Sequence, residues 1–319
     1  MSAALWCFDI PVLNVTTVRE GGFGDPHIRT ADGLLFDCQA AGEFVSLTSL
    51  ETPELMVQQR FTSVSSEECS QASVTTGIAF QDVSVPKVEL SIPQNPSSMT
   101  PNWIDGCPID FLIDGAVTLF NQTLPSGILL AQAGSSVGIL HLASGFRVEA
   151  RVRDSDSFGC HFLTSVMIPT DFHEGETLIG LMGTPNGDST DEWVDSTGSV
   201  LPLPATEDDL FFEAGYDYCT QNWCIDDASK SLFSYVHLSE SFSTHYACNA
   251  PYDSSLQEMI EANNVDPELL DVCEDAGIFC LVDGICGTPI DSANVIDDLD
   301  FIQTSMGLAC GGKSVICFL

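Results

Sequence analysis

From Phe23 to about Ile168 apolar and polar positions alternate with a period of two, and Gly, Pro, Asn and Asp interrupt the pattern every few residues. Gly42-Glu43-Phe44-Val45-Ser46-Leu47 alternates, and so do Val83-Ser84-Val85 and Val88-Glu89-Leu90-Ser91-Ile92 on either side of Pro86. Phe111 to Leu119 reads as a hairpin turning at Asp114-Gly115, the dipeptide that tolerates the positive φ of a tight β-turn. Phe146 to Arg153 alternates as well and places Arg147, Arg151 and Arg153 on one strand face. A solvated face pairing with neighbouring carboxylates is the simpler reading of that stripe, ahead of an acid-binding patch. Many short strands separated by turns predict a β-sandwich. Residues 1–20 form a lead-in with its own brief alternation, an edge strand or the tail of a preceding module.

After Asp217 the period changes. Ser255 to Glu258 has the form of a capping box, with Leu256, Met259, Ile260 and Ala262 at helical spacing. Asp266-Pro267-Glu268 repeats the start signal, with proline at the first helical position. Val295, Ile296, Leu299 and Ile302 make a third stripe. Such thin helices need staples, and eight cysteines fall here (219, 224, 248, 273, 280, 286, 310 and 317). The expected organisation is therefore mainly β: a lead-in over 1–20, a β-sandwich over 21–218, and a small disulfide-rich α-helical unit over 219–319.

Charge narrows the function. The chain has 319 residues, with 46 acidic against 9 basic and a net charge of −37. That excludes ordinary nucleic-acid binding, repels anionic membranes and favours cations and basic partners. Thirteen cysteines with no Cys-x-x-Cys argue for an oxidising compartment and against zinc or a redox dithiol. An odd number leaves at least one thiol free or bonded to another chain. Asn14-Val15-Thr16 and Asn121-Gln122-Thr123 are acceptor sequons for N-glycosylation. The most apolar region, Leu124 to Leu142, is broken by Pro125 and several glycines and is no membrane span. Met1 to Cys7 lacks the basic start and apolar core of a leader, so the chain reads as an excerpt of a longer secreted protein or ectodomain.

Two stretches carry the candidate chemistry. Gly24-Asp25-Pro26-His27-Ile28-Arg29-Thr30-Ala31-Asp32-Gly33 holds two turn signals around one short strand. Far along the chain, Gly183 to Trp193 gathers Asn186, Asp188, Asp191 and Glu192, with Gly187 allowing a tight bend. The central expectation is that the two stretches meet and share one cation. Hard oxygen donors on a flexible loop suit Ca²⁺, which takes 6–8 oxygens at about 2.3–2.6 Å. The spacing is not that of an EF-hand, and on spacing alone an ordinary Asx-rich turn fits as well. His27 with Asp25, and His173 with Glu174, have neither zinc-binding helical spacing nor a serine elbow beside them, so no enzyme activity is expected. Asp25-Pro26 carries another chemistry. The aspartate carboxyl can attack its own carbonyl and expel the proline nitrogen, a self-cleavage that a strained turn beside His27 would speed.

At these residues the chain resembles the von Willebrand factor type D (VWD) domain. The match rests on Gly24-Asp-Pro-His-Ile-Arg-Thr-Ala-Asp-Gly33, on Phe36-Asp-Cys-Gln-Ala-Ala-Gly-Glu-Phe44, and on Leu178-Ile-Gly-Leu-Met-Gly-Thr-Pro-Asn-Gly-Asp188 with Asp191-Glu-Trp193, covering roughly 21–215. Ser231-Leu-Phe-Ser-Tyr235, Glu240-Ser-Phe242 and the cysteines from Cys273 to Cys286 resemble segments that follow such domains. The resemblance implies a β-sandwich with a calcium site at Asp32, Asn186, Asp188, Asp191 and Glu192, where position 188 is open to acting through its backbone carbonyl alone. Thr184 stands where the family often has Asn, which weakens one ligand. Met182 stands where many members have Cys, so Cys38 must find another partner or stay free. Some relatives cleave themselves between Asp and Pro at mildly acidic pH, which maps to Asp25-Pro26. The implied roles are extracellular, in adhesion, matrix and multimer assembly, with other extracellular or matrix proteins as partners, disulfide-linked copies of the chain among them.

Overall fold

The computed structural model describes residues 6–8, 17–23, 26–63, 73–83, 85–93, 102–120, 122–124, 126–133, 135–141, 146–155, 159–169, 177–205, 209–210, 213–236, 248, 309–310, 313–314 and 316–318. The protein is mainly β, with two eight-stranded sheets in a sandwich-like arrangement. The first sheet contains β5 (Gly42–Ser49), β6 (Met56–Ser63), β7 (Ser73–Asp82), β8 (Val85–Ser91), β9 (Asn102–Ile104), β10 (Cys107–Ile113), β11 (Ala116–Val117) and β17 (Leu178–Ile179). Its order is β11-β10-β8-β7-β6-β5-β17, and β9 pairs with β10. The second contains β2 (Thr17–Phe23), β3 (His27–Arg29), β4 (Leu35–Asp37), β12 (Gln122–Thr123), β13 (Ile128–Ala133), β14 (Ser136–His141), β15 (Arg147–Ser155) and β16 (Gly159–Pro169), in the order β12-β13-β14-β15-β16-β2-β3-β4. Near the ends, β1 (Trp6–Phe8) pairs with β20 (Ile316–Phe318), and β18 (Ala309–Cys310) with β19 (Lys313–Ser314).

Strands form where the alternation predicts them. Along β15 the even positions Val148, Ala150 and Val152 face the core beside Phe162 and Val166 of β16. From the other sheet Ile78, Phe80, Val88 and Leu90 close on them, and Phe80 stacks on Phe146 with ring centroids 5.1 Å apart. The odd positions of β15 carry the arginines, and Arg147 pairs with the buried Glu149. Asp114 (φ 48°) and Gly115 (φ 78°) take the left-handed pair of conformations the β10–β11 hairpin requires, and Asp105-Gly106 does the same between β9 and β10. Cys107–Cys160 bridges β10 to β16 and so joins the two sheets.

A second core lies at one end, where Phe36, Phe44, Phe61, Trp193, Tyr218 and Trp223 cluster. Helix α1 (Glu213–Asn222) covers it, crossing residue 218, and Cys38–Cys219 ties it to the end of β4. Cys38 thus has a partner far along the chain in place of a cysteine at 182. Cys224–Cys248 adds a further bridge. Beyond α1 the segment 225–235 lies against the first sheet, where Gln58 and Glu89 accept from the backbone N–H groups of Leu232 and Ser234. The helical stripes expected at 256–262, 266–273 and 295–302 lie outside the described residues. Among the described residues no helix is long and apolar enough to cross a membrane.

Candidate metal centre

The early turn and the late loop are built to touch. Strand β3 ends at Arg29, and the hydroxyl of the next residue, Thr30, accepts from Leu34 N (2.9 Å) while Gly33 N donates to Thr30 O (3.1 Å). Gly33 sits at φ 95°, so the turn closes and presents Asp32. The late loop leaves β17 through Gly180 to Gly183, and β5 holds it there. A register shift between Val45 and Leu47 takes backbone groups out of the β5–β6 ladder. Val45 O accepts from Leu181 N and Ser46 O from Met182 N, both at 3.1 Å. Ala31 N then donates to Met182 O at 2.9 Å, the first direct bond between the two stretches. At its far end the loop is anchored by Trp193, which stacks on Tyr218 (4.5 Å, 5°) and meets Phe36 edge-on.

Between these anchors the two stretches interlock. Asp32 Oδ2 accepts from three successive backbone N–H groups, Asn186 (2.9 Å), Gly187 (2.6 Å) and Asp188 (3.1 Å). Glu192 reaches back beneath the turn. Its Oε1 accepts from Thr30 Oγ1 (2.9 Å) and Asp32 N (2.7 Å), and its Oε2 from Thr184 N (2.8 Å). Gly183 is obligatory at this point, because φ is 77° and a Cβ would collide with Glu192 Oε2. Asn186 Nδ2 donates to both Asp191 oxygens (3.2 and 2.9 Å), and Asp188 N donates to Asn186 Oδ1 (2.8 Å). Asp188 Oδ1 accepts from Thr190 Oγ1 and N, which holds its carboxyl below the usual range.

All five residues singled out in the sequence therefore lie in one cluster, but not in equivalent places. Asn186 and Asp188 are exposed and Asp191 is partly so, whereas Glu192 is fully buried with both oxygens engaged. Burial pushes Glu192 up to about 7, with the nearby Asp32 charge adding to the rise and the three donors opposing it. The folded metal-free chain thus holds the Glu192 proton where the unfolded chain, at the ordinary 4.5, releases it. Stability should then fall by roughly 2–3 kcal/mol as pH rises from about 4.5 to about 7 and stay level above that. Urea midpoints across that window in chelator test this, and Glu192→Gln should remove the slope.

Asp32, Asp188 and Asp191 bring carboxylates and Asn186 an amide oxygen to this hydrogen-bonded cluster, all hard oxygens with no thiol or imidazole among them. No three of its carboxylates bring oxygens within 4.8 Å of one another. Among the described residues Cys107, Asp154 and Cys160 do converge that closely, but the two sulfurs are joined in a disulfide and offer no thiolate to a metal.

The other candidate, Asp25-Pro26-His27, is described from Pro26 onward; Asp25 lies outside the described residues. His27 is fully buried, its Nδ1 is 2.5 Å from Asp37 Oδ1, and Pro26 O accepts from Cys38 N at 3.0 Å. Asp37 was missed in the sequence. The only signal was the hairpin itself, which sets His27 opposite Asp37 across β3 and β4. His173 and Glu174 lie outside the described residues.

No family model matches the chain. It is similar to Sushi domain-containing protein 2 of Homo sapiens, 30% identical over 216 residues, which is 66% of this chain and 23% of that protein. The chain thus spans under a quarter of that relative's length. The three disulfides among the described residues are consistent with an oxidising, extracellular setting.

Proposed function

We propose that the chain is a calcium-stabilised module of an extracellular protein, of the VWD kind, that serves adhesion or protein assembly rather than catalysis. The observation that carries this reading is the interlock of Asp32 with the N–H groups of 186–188, which turns the early turn and the late loop into one oxygen-rich cluster. Asp32, Asn186, Asp188 and Asp191 would hold the ion at the surface, and Glu192 would brace the turn from below. The ion would supply neutralisation of like charges and a cross-link between segments some 150 residues apart. Partners would be other extracellular or matrix proteins. Thirteen cysteines is an odd number, so a bond to a second chain is chemically open.

Calorimetric titration of calcium into the metal-free chain tests the site. A saturable calcium heat, weak with magnesium and lost in Asp32→Ala, is expected; a flat calcium titration would remove the reading.

The His27–Asp37 pair favours a second reading, self-cleavage at Asp25-Pro26. A carboxylate on Nδ1 fixes the imidazole tautomer two residues from the labile bond. On this reading, mild acid splits the chain after residue 25, and Asp37→Asn displaces the pH profile of the split. An intact band after prolonged acid incubation, seen by denaturing electrophoresis, sinks it.

A further inference from the structure

Along β6, β7 and β8 the residues that turn away from the core are Gln58 and Arg60, Ala79 and Gly77, and Glu89 and Ser91, which the register sets side by side. Glu43 of β5 stands opposite Arg60, and Asp110 of β10 opposite Ser91. The outer face of an antiparallel sheet is commonly left to water, yet Glu43, Glu89 and Asp110 are each no more than 2% exposed. Segment 231–235 lies over Glu43 and Glu89. Gln58 grips its backbone at two points, Nε2 donating to Lys230 O (2.9 Å) and Oε1 accepting from Leu232 N (2.7 Å). The apolar share of the contact is small: Leu232 and Phe233 cluster with Ala79, and Met56 and Tyr235 pack at the margin.

The charges on this face do not balance. Arg60 Nε and Nη2 both donate to Glu43, which also accepts from the Tyr235 and Ser231 hydroxyls and so is satisfied as a carboxylate. Glu89 accepts from neutral donors instead, Ser91 Oγ on Oε1 (2.5 Å) and Ser234 N on Oε2 (2.8 Å). Around it stand Arg60 of β6, Glu43 of β5, Asp110 and the uncharged Leu112 of β10, half-buried Lys87 of its own strand, and Tyr235 of the segment. Three buried carboxylates against one buried cation leave charge that low-dielectric surroundings penalise, and a proton on Glu89 removes part of it. Ser91 Oγ can then accept from the acid it donated to before. Burial accordingly pushes Glu89 above the ordinary 4.5, with Arg60, the two donors and Lys87 opposing the rise.

We propose that segment 231–235 is a pH-released strap, which clasps the first sheet while Glu89 holds a proton and lets go once Glu89 ionises beneath it. With the strap open, water reaches Glu89 and its carboxyl returns to the ordinary 4.5. Closing therefore takes up a proton from solvent, and opening returns it. The stabilisation of the closed strap is complete below about 4.5 and is lost as pH rises through the higher value of the closed form. Opening bares little apolar surface on the sheet, because Gln58, Glu43 and Arg60 regain water. It frees Leu232, Phe233 and Tyr235 for other contacts, while Cys224–Cys248 keeps the base of the segment tethered. The strap needs no metal ion.

Lys230 reports on the strap. Its side chain is 66% exposed, and its carbonyl, one half of the bond to Ser231, is held by Gln58. Trypsin should therefore cut the full chain after Lys230 only when the strap is open. The rate of that cut, divided at each pH by the rate on a free peptide of residues 226–235, should rise on the order of tenfold from about pH 5 to about pH 8. Glu89→Gln keeps a neutral group with an oxygen for Ser234 N, and it should give a low, flat ratio over the same range. A flat wild-type ratio overturns the proposal, as does a Glu89→Gln chain that retains the wild-type slope. A wild-type rise matched by cuts at Arg29 and Lys87 also overturns it, since the whole chain is then opening. If Glu89→Gln fails to fold, amide exchange in the wild type, corrected for its intrinsic pH dependence, decides. Protection should fall with rising pH at Leu232 and Ser234 while Ile78 and Leu90 stay protected; equal loss at all four overturns the strap.

Discussion

Saturating calcium is expected to raise the thermal unfolding midpoint of the chain by about 5–10 °C over the chelated protein. At a hundred times its dissociation constant, a ligand bound only by the native state adds about 2.7 kcal/mol. In a domain of 150–250 residues each kcal/mol moves the midpoint by roughly 2–4 °C. Magnesium should do little, since it demands a tight octahedron and gives up its water reluctantly. Asp32→Ala should abolish the calcium shift, and it also takes the acceptor away from three N–H groups, lowering the midpoint in chelator. Asp32→Asn separates the two effects: its amide oxygen keeps those bonds while the charge is gone, so the chelated midpoint should hold and the calcium response should shrink. An Asp188→Ala chain that keeps its full response would assign position 188 a backbone oxygen only. Should calcium leave the wild-type midpoint unmoved, the cluster is a hydrogen-bonded turn and nothing more.

The second large effect concerns the segment after α1. Glu43 is fully buried on the first sheet, with Arg60 only 3% exposed beside it. Glu43 Oε1 accepts from Arg60 Nε (3.1 Å), Arg60 Nη2 (3.0 Å) and Tyr235 Oη (2.5 Å), while Oε2 accepts from Ser231 Oγ (2.5 Å). The guanidinium also lies 4.1 Å from the Phe233 ring centroid. Phe233 can sit there because residue 77 is glycine, where a Cβ would come within 2.7 Å of the ring. Glu43→Ala should therefore cost about 3–5 kcal/mol in chemical denaturation, because it leaves a buried cation without its carboxylate. The paired change Glu43→Leu with Arg60→Met should cost less, since apolar groups of similar size leave neither partner of the pair stranded. If both variants lost the same stability, the segment would be held by its apolar contacts and the ion pair would be incidental.

The candidate site was legible to an unusual degree because its two halves are each local turn signals. Asp32-Gly33 and Asn186-Gly187-Asp188 advertise their bends through residues that tolerate or require positive φ, and the oxygen donors lie within those same bends. What the residues alone could not show was the division of labour among the carboxylates. Asp191 and Glu192 are neighbours in sequence, yet one remains at the surface and the other is buried beneath Thr30 and Thr184. The turn after Asp188 decides that, not the residue type. The His27–Asp37 and Glu43–Arg60–Tyr235 contacts were missed for a related reason. Each joins charged or polar residues that by composition belong at the surface, and only the covering elements bury them.

By itself the sequence determined the strand periodicity from Phe23 to Ile168 and the Asp-Gly hairpin at 114–115. It also marked the two stretches that come together at the candidate metal site. These are local properties, written in period-two alternation and in side chains that select particular backbone angles. Only the tertiary structure decided that Cys38 pairs with Cys219, that α1 covers the end of the sandwich at β4, and that residues 225–235 return to the first sheet. Such pairings depend on which surfaces remain unburied once the sheets have formed. No residue carries that information alone, because burial is a property of the assembled layers.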